Sequence, residues 1–369
     1  LISRKILPNI AVVVSDLGPG GGQVFAIRLA NAWMGLGGRV VLLNVNKYES
    51  HKNVIQKINP EIPIINLSNN INDVCLTYDI DIIHSSLWWA DKYIHENFMK
   101  IPERVRWVVT MHGCYESLVM HPDTDGDFIA QFIKMQFEVD HWVYIAQKNM
   151  KAFDVINQKP LSITKILNGY EAETPKSLEK EKLGIREDAF VFCLVSRAIS
   201  SKGWGVACEA ITNLNREGYK FDLLLVGSGE YEQVVSDSYN YDFIHSTGQV
   251  SNVEDYISIS DVCMLPSFFI GESMPLVLIE YMAQSKPIIS SNIGEIVNMT
   301  CDSVGDGAII LDLENDTVNV GDLQESMIKL YEDNNLYQDL SRNSGRNFKK
   351  FEMSIMIEEY RKLYSQLIS

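Results

Sequence analysis

The sequence predicts an α/β fold of two doubly wound domains, each a parallel sheet with helices on both faces. The 369 residues are too many for one ordinary hydrophobic core and suit two domains. In both halves short apolar runs alternate with helical patterns, as in parallel sheets. The charged, aperiodic stretch 168–187 separates the halves. A content of 46% hydrophobic and 22% charged residues excludes a disordered chain.

The first half opens with a βαβ unit. Strand 10–14 leads into the glycine-rich loop 18–22, and an apolar stripe over 23–36 predicts a helix. The glycine pair 37–38 ends that helix, and 40–45 is the next strand. Further strands are expected at 62–67, 81–84, 107–111 and 142–146.

The second half repeats this pattern. Strands are predicted at 190–196, 222–226, 243–244, 262–266 and 287–290, and the chain ends in helices over 346–367. We therefore divide the chain into an N-terminal domain, 1–168, and a C-terminal domain, 169–351. Two such domains on one linker predict a cleft between the carboxyl ends of their sheets, where doubly wound folds bind ligands.

The net negative charge of the chain comes entirely from the second half. Residues 1–168 carry equal numbers of acidic and basic side chains, so the whole net charge of −16 falls after residue 168. Nucleic acid is excluded as a partner, because phosphate backbones need a basic surface. A second domain that binds phosphates must concentrate its few basic groups at the site.

The sequence predicts a cytoplasmic protein whose association with the inner membrane face is at most peripheral. No window approaches the roughly 18 apolar residues of a membrane span, and residues 2–7 lack the long apolar stretch of a secretion signal. The six cysteines are scattered without metal-type spacing, so we interpret them as reduced core residues. The start at Leu1 instead of Met suggests a piece of a longer polypeptide.

Loop 18–22 follows a strand and opens a helix, so its backbone N–H groups can hold an anion. The alternative is an ordinary tight turn. A nicotinamide cofactor is disfavoured for two reasons. Gly20 to Gly22 are consecutive instead of spaced as in GxGxxG, and the next strand ends without the acidic residue of a dinucleotide fingerprint. We expect no cofactor.

The second half holds the more specific pattern. Arg197 follows directly after a predicted strand, and Lys202 comes five residues later. The two side chains can therefore clamp a diphosphate. A strand then runs into a tight turn at Gly227. Glu272 and Glu280 are separated by seven residues, and each carboxylate can accept from a diol. Two solvated surface glutamates are the alternative.

Between Ser196 and Gly294 the chain resembles family 4 of the retaining glycosyltransferases, which have the GT-B fold. The resemblance implies that Glu272 holds the donor sugar hydroxyls and that Glu280 accepts from the ribose hydroxyls. His112, at a strand end, matches the active-site histidine, although a lone histidine is more often a core or surface residue. The last helix, about 352–369, is expected to pack on the first domain.

The resemblance further predicts the donor-binding residues. The catalytic set is His112, Arg197, Lys202 and Glu272, and the phosphates and nucleoside are expected to contact Gly20, Gly21, Gly22, Gly227, Ser273, Met274, Pro275, Leu276 and Glu280. The chain departs from the family where Ser273 and Glu295 replace glycines and Asn298 replaces an acid. These departures lie near the donor, so they leave the identity of the sugar open.

Two acidic segments resemble metal-binding pairs of another glycosyltransferase fold. Asp79 and Asp81 lead into a strand, and the loop 123–127 lacks the later glutamate of a calcium loop. GT-B enzymes stabilise the leaving diphosphate with basic groups and helix dipoles. We therefore expect no catalytic metal.

His84, Trp88 and Trp89 are candidates for acceptor binding. Adjacent tryptophans past a strand end can stack on a sugar while their N–H groups bind hydroxyls. Alternatively, one ring packs in the core and the other lies under the loop. The two interpretations stay open.

The predicted activity is transfer of a hexosyl group from a nucleoside-diphosphate sugar to an acceptor hydroxyl, with retention and without metal. The acceptor is expected to be a glycan or lipid-linked glycan, as in bacterial polysaccharide biosynthesis. The alternatives are a GT-B sugar-nucleotide epimerase, which should lack this glutamate spacing, and a non-catalytic GT-B binding module, which has no need of the clamp.

Overall fold

A computed structural model describes residues 7–46, 51–66, 70–113, 115 and 128–369 of the protein. The chain forms two compact units. The first unit comprises Leu1–Gly169 and Glu352–Ser369, and the second comprises Tyr170–Phe351. The C-terminal helix therefore belongs to the first unit.

The first unit contains a parallel sheet of seven strands in the order β3-β2-β1-β4-β5-β6-β7. The strands are β1 Ile10–Val14, β2 Val40–Asn44, β3 Ile64–Asn66, β4 Ile82–Ser86, β5 Arg106–Met111, β6 His141–Tyr144 and β7 Ile163–Lys165. The helices described here are α1 Gly21–Gly35, α2 Lys52–Ile55, α3 Ile71–Thr77, α4 Trp88–Glu96, α5 Phe128–Met135, α6 Lys151–Val155 and, at the C-terminus, α14 Met353–Leu367. Helix α1 starts earlier than predicted, so Gly21 and Gly22 lie in its first turn.

Alternation along the strands builds a core on each face of this sheet. Ile10, Val12 and Val14 of β1 face one side, where Trp33 of α1 and Tyr360 of α14 cover them. The intervening β1 side chains face the other side, which carries α3, α4 and α5. Both faces are buried, as expected for a parallel sheet.

The second unit contains a parallel sheet of six strands in the order β10-β9-β8-β11-β12-β13, plus a small antiparallel pair, β14-β15. The strands are β8 Phe190–Val195, β9 Phe221–Val226, β10 Ile244–Ser246, β11 Val262–Leu265, β12 Ile288–Ser291, β13 Ala308–Leu311, β14 Leu313–Glu314 and β15 Thr317–Val318. The helices are α7 Trp204–Arg216, α8 Glu232–Ser238, α9 Val253–Ser258, α10 Leu276–Ala283, α11 Ile296–Thr300, α12 Val320–Glu332 and α13 Asn334–Phe348.

In each sheet the order of the strands reverses beside the first strand of the unit, between β1 and β4 and between β8 and β11. Loops leaving the carboxyl ends of these strand pairs diverge to opposite faces, which makes the reversal points the usual ligand sites. The predicted Arg197, Lys202 and Glu272 follow β8 and β11, and the predicted His112 follows β5, the neighbour of β4.

Four of the cysteines, Cys75, Cys193, Cys208 and Cys263, are free and buried, and Cys301 is half-buried. Cys114 lies outside the described residues. Among the helices of the described ranges, none combines the length and apolarity that crossing a membrane requires.

Candidate functional site

An ion pair joins the loops that follow β8 and β11. Lys202 Nζ lies 2.5 Å from Glu272 Oε2, and Ser267 Oγ donates to the same oxygen at 2.9 Å. The side chains of the lysine and the glutamate are only 12% and 7% exposed. The fold thus brings together two residues that are 70 positions apart in the sequence.

Phe269 provides an aromatic surface for both predicted basic residues. Lys202 Nζ lies 5.0 Å and Arg197 Cζ 5.8 Å from the centroid of its ring, within the range of cation–π attraction. Arg197 is exposed. The two cations therefore converge at one place, with the guanidinium accessible to a ligand.

Neither the residue type nor the spacing of Ser267 and Phe269 predicts a role for them. Both lie in the stretch between β11 and Glu272, so their position next to a predicted site residue could have indicated a role. A serine and a phenylalanine are common in ordinary loops, however, and only the tertiary contacts distinguish them.

Gly227 follows directly after β9, beside the segment that carries Arg197. Its φ of 134° lies in the region that favours glycine, and a Cβ there would lie 1.9 Å from Ser196 O. The same turn receives a backbone hydrogen bond, since Ala198 N donates to Ser228 O at 2.9 Å. Gly227 therefore holds the backbone on both sides of Arg197. Its predicted contact with the donor stays a prediction.

Helix α10 begins between the two predicted glutamates. Pro275 precedes its first turn, no side chain caps it, and no acidic residue lies in that turn, so its N-terminus favours an anion. Ser273 and Met274 are buried before the helix, and Glu280 is half-buried in its second turn. Leu276 is the first helical residue.

Helix α1 of the first unit also starts without a side-chain cap. Gly20 precedes its first turn, which contains no acidic residue. The loop before the helix is shaped by Asp16, whose Oδ1 accepts from Gly18 N at 2.8 Å and from Gln23 Nε2 at 3.0 Å. The predicted glycines thus surround a helix N-terminus that suits an anion.

His112 lies directly after β5 and is 5% exposed. Its ring centroid lies 4.3 Å from that of Phe25 in α1, and within the described part of the chain its Nε2 has no hydrogen-bond partner. Burial lowers its pKa to about 3. At neutral pH it is therefore an uncharged imidazole with one nitrogen available to a hydroxyl group.

His84 has a structural role in place of the acceptor contact predicted for it. It is 1% exposed, its Nδ1 lies 2.5 Å from Tyr364 Oη, and its Nε2 lies 2.7 Å from Thr110 Oγ1. Burial, and then the nearby His112, lower its pKa to about 3. Both ring nitrogens are occupied, so His84 ties α14 to the sheet.

The two tryptophans have different environments. Trp88 is 6% exposed and its ring packs on Phe128 at 4.3 Å between centroids, as in the alternative in which one ring packs in the core. Trp89 is 60% exposed, with Lys92 Nζ 5.4 Å from its ring centroid. Trp89 alone of this pair can stack on a sugar, and its role stays a prediction.

Replacing His84→Ala should lower the free energy of unfolding of the first unit by about 2–4 kcal/mol, because it leaves a cavity and unpaired hydroxyls. Any activity of the folded variant should stay within about threefold of wild type. Urea unfolding followed by circular dichroism measures the first quantity. Tyr364→Phe, which removes one partner only, should cost about 1 kcal/mol. A stable variant with impaired turnover would restore a functional role for His84.

The acidic segment before β4 is engaged by protein groups. Asp79 Oδ1 lies 2.9 Å from Arg104 Nη2, and Asp81 Oδ2 accepts from Asn9 N at 2.8 Å. Asp81 Oδ1 also lies 3.4 Å from Arg104. These contacts give both carboxylates a structural role. The loop 123–127 lies outside the described residues.

The known proteins that this chain resembles are glycosyltransferases. The family model described as glycosyl transferases group 1 matches residues 175–347. A relative from Campylobacter jejuni, N,N'-diacetylbacillosaminyl-diphospho-undecaprenol alpha-1,3-N-acetylgalactosaminyltransferase, is 23% identical over 79% of this chain and 78% of its own. An uncharacterized glycosyltransferase from Methanocaldococcus jannaschii is 24% identical over 88% of this chain and 89% of its own.

Among solved structures, HepE of Anabaena in complex with UDP-glucose superposes with a TM-score of 0.79. The match covers 97% of this chain and 100% of HepE at 15% identity, so it concerns the fold. Such neighbours have the GT-B fold, and the predicted fold class of two Rossmann-like domains is confirmed.

Proposed function

The chain is a glycosyltransferase of group 1, the family that matches residues 175–347, and we propose that it transfers a sugar from a nucleoside-diphosphate sugar to an acceptor hydroxyl with retention. The observation that carries this proposal is the convergence of Lys202, Glu272 and Arg197 around Phe269. Two cations and a carboxylate at one strand-end site match a phosphate group attached to a polyhydroxylated ring.

The diphosphate would be held by the basic pair and by helix α10. Arg197 offers a planar fork of donors, Lys202 a compact charge, and the uncapped N-terminus of α10 its backbone N–H groups. Glu280, in the second turn of that helix, would accept from the ribose hydroxyls. These groups supply the positive charge that the acidic second half otherwise lacks.

Glu272 would orient the transferred sugar. Its contacts with Lys202 and Ser267 both use Oε2, so Oε1 keeps its capacity to accept from sugar hydroxyls. Because the carboxylate is almost fully buried and held from two sides, its position is fixed before substrate binds. Such preorganisation is what a transferase needs at the reacting centre.

The catalytic contribution would come from charge stabilisation. As the bond from the anomeric carbon to the phosphate oxygen breaks, negative charge grows on the diphosphate, and Arg197 and Lys202 stabilise it. The acceptor would attack the same face, and the leaving phosphate oxygen would take its proton. The uncharged His112 would contact the transferred sugar without adding a competing charge.

For the acceptor we propose a glycan or lipid-linked glycan. The Campylobacter relative is named for transfer to a diphospho-undecaprenol acceptor, and the exposed Trp89 offers a stacking surface of the kind that sugars use. The protein would act in the cytoplasm, with at most peripheral contact with the inner membrane face.

An acceptor-free assay tests the proposed function. We expect slow release of nucleoside diphosphate from one member of a panel of UDP-glucose, UDP-N-acetylglucosamine, UDP-N-acetylgalactosamine and GDP-mannose, and loss of that release in Lys202→Ala. Formation of a 2-epimer instead of free sugar would indicate an epimerase. Binding without release of diphosphate for every donor would indicate a non-catalytic module.

Activity should persist in excess chelator. The donor charge would be balanced by Arg197, Lys202 and helix N-termini, while Asp79 and Asp81 are occupied by protein groups. Diphosphate release should stay within about twofold when EDTA is added and when manganese is restored. Loss in EDTA with recovery in manganese would contradict this mechanism.

A further inference from the structure

Ser86 is a buried polar residue without a role in the fold. It ends β4 and is 1% exposed, and in the ranges that the structure describes its Oγ has no hydrogen-bond partner. Buried hydroxyls are nearly always paired, because leaving one unpaired is unfavourable. An exception at the carboxyl end of a central strand therefore points to a ligand.

The neighbouring strand presents a second such group. Ser86 pairs in parallel register with Thr110 of β5, and His112 follows two residues later. The Nε2 atom of His112 is likewise without a partner among the described residues. The two unpaired atoms thus lie at the carboxyl ends of adjacent strands, on the same edge of the sheet.

Both side chains lie on the face that α1 covers. His84, two residues before Ser86, contacts Thr110 on this face, and the alternation of a strand directs Ser86 to the same side. Phe25 of α1 contacts the rings of both His84 and His112, at 6.0 and 4.3 Å between centroids.

The polar side chains on this face differ in hydrogen bonding according to how close they lie to the carboxyl edge of the sheet. Deeper in the sheet, His84 and Thr110 contact each other, Tyr364 and Tyr360. One step towards the carboxyl edge, Ser86 Oγ and His112 Nε2 form no hydrogen bond with this network or with each other among the described residues. The network is complete without them, so packing alone gives no reason for a hydroxyl at position 86.

The backbone after Ser86 is strained. Leu87 has a φ of 77°, a conformation that non-glycine residues rarely adopt and that is concentrated at functional sites. The side chain of Leu87 lies against Gly22 in the first turn of α1. The strained residue therefore links Ser86 to the helix N-terminus that suits an anion.

We propose that Ser86 Oγ and His112 Nε2 together bind one hydroxyl group of the transferred sugar. This inference rests on the proposed function and adds Ser86 to it as a specificity-determining residue. A sugar hydroxyl donates one hydrogen bond and accepts others, and a serine hydroxyl paired with a neutral imidazole can satisfy both capacities. A donor without that hydroxyl would leave both protein groups unpaired and would be discriminated against.

Ser344 provides a matched control for a substitution at Ser86. It lies in α13 of the second unit, is fully buried, and its Oγ also lacks a partner within the described ranges. Ser344→Ala and Ser86→Ala thus remove the same atom from equally buried positions. Neither should lower the melting temperature, because each removes an unpaired buried hydroxyl.

We expect Ser86→Ala to lower kcat/KM for donor turnover, with UDP-glucose or UDP-N-acetylglucosamine as the probe, by about tenfold or more. Ser344→Ala should stay within twofold of wild type. In a double-mutant cycle, Ser86→Ala should cost much less in a His112→Ala background, because both would bind the same hydroxyl. Among deoxy analogues of the active donor, one should be turned over equally by wild type and Ser86→Ala.

Equal turnover by wild type, Ser86→Ala and Ser344→Ala would overturn the inference while leaving the proposed function intact. So would additive effects of Ser86→Ala and His112→Ala. If Ser86→Ala melts early, Ser86→Cys, which keeps the size of the side chain but bonds weakly, takes its place with the same expectations. Absence of diphosphate release by the wild-type enzyme would overturn both the proposed function and the inference.

Discussion

Lys202→Ala and Arg197→Ala should each lower kcat/KM by about 100-fold or more, the scale of losing a transition-state charge stabiliser. Both cations contact the ring of Phe269 and would stabilise the departing diphosphate. Lys202→Ala carries a second cost, since it leaves the buried Glu272 carboxylate without its cation. Steady-state release of diphosphate measures both effects.

Lys182→Ala is a suitable control for these variants. Lys182 also pairs with a glutamate, Glu179, but its side chain is 69% exposed, so its removal should change turnover by less than twofold. Arg197→Lys should recover only part of the activity, because an ammonium group cannot reproduce the guanidinium fork. Near-wild-type kinetics of folded Arg197→Ala or Lys202→Ala would mean that the diphosphate binds elsewhere.

Glu272→Ala and Glu280→Ala should impair different properties, namely sugar transfer and binding of the nucleoside diphosphate. Glu280→Ala should weaken binding of the free nucleoside diphosphate by roughly 1–3 kcal/mol, the loss of a charged hydrogen bond. Glu272→Ala should reduce sugar transfer by about 100-fold or more with a smaller effect on that binding, since it would contact the sugar and hold Lys202. Calorimetry with the diphosphate and turnover with the intact donor separate the two.

The matched variants Glu272→Gln and Glu280→Gln refine this comparison. Each keeps the size of the side chain and one acceptor oxygen but removes the negative charge. Glu272→Gln should remain strongly impaired, because Lys202 loses its ion pair, whereas Glu280→Gln should retain part of the ribose contact. Equal losses of diphosphate affinity in Glu272→Ala and Glu280→Ala would contradict the division of roles.

The central strands could be predicted from the sequence, and some edge strands could not. Strands β1, β8 and β11 are buried on both faces, so they appear as continuous apolar runs. β7 and β13 lie at the ends of their sheets and were not predicted. β7 has three residues, two of them exposed, and lacks the apolar pattern that the prediction depends on. β13 is an apolar run of four residues that was nevertheless not selected.

The residues of the proposed site divide in a similar way. Arg197, Lys202, Glu272 and Glu280 could be selected because charged residues at regular spacing near strand ends carry a chemical meaning of their own. Ser86, Ser267 and Phe269 could not, since their residue types occur throughout ordinary loops. His84 and Trp88 were selected as acceptor residues, but both are buried in contacts with α14 and α5.

The sequence by itself determined that the chain has two α/β domains, and it supplied the charged residues of the proposed donor site. Strand alternation and charge spacing are local, so they survive in a one-dimensional pattern. The tertiary structure alone decided that Lys202 and Glu272 share one buried contact, and that the hydroxyl of Ser86 is unpaired while the ring of His84 is fully paired. Burial and hydrogen-bond pairing depend on residues distant in sequence, and only the folded chain brings those residues together.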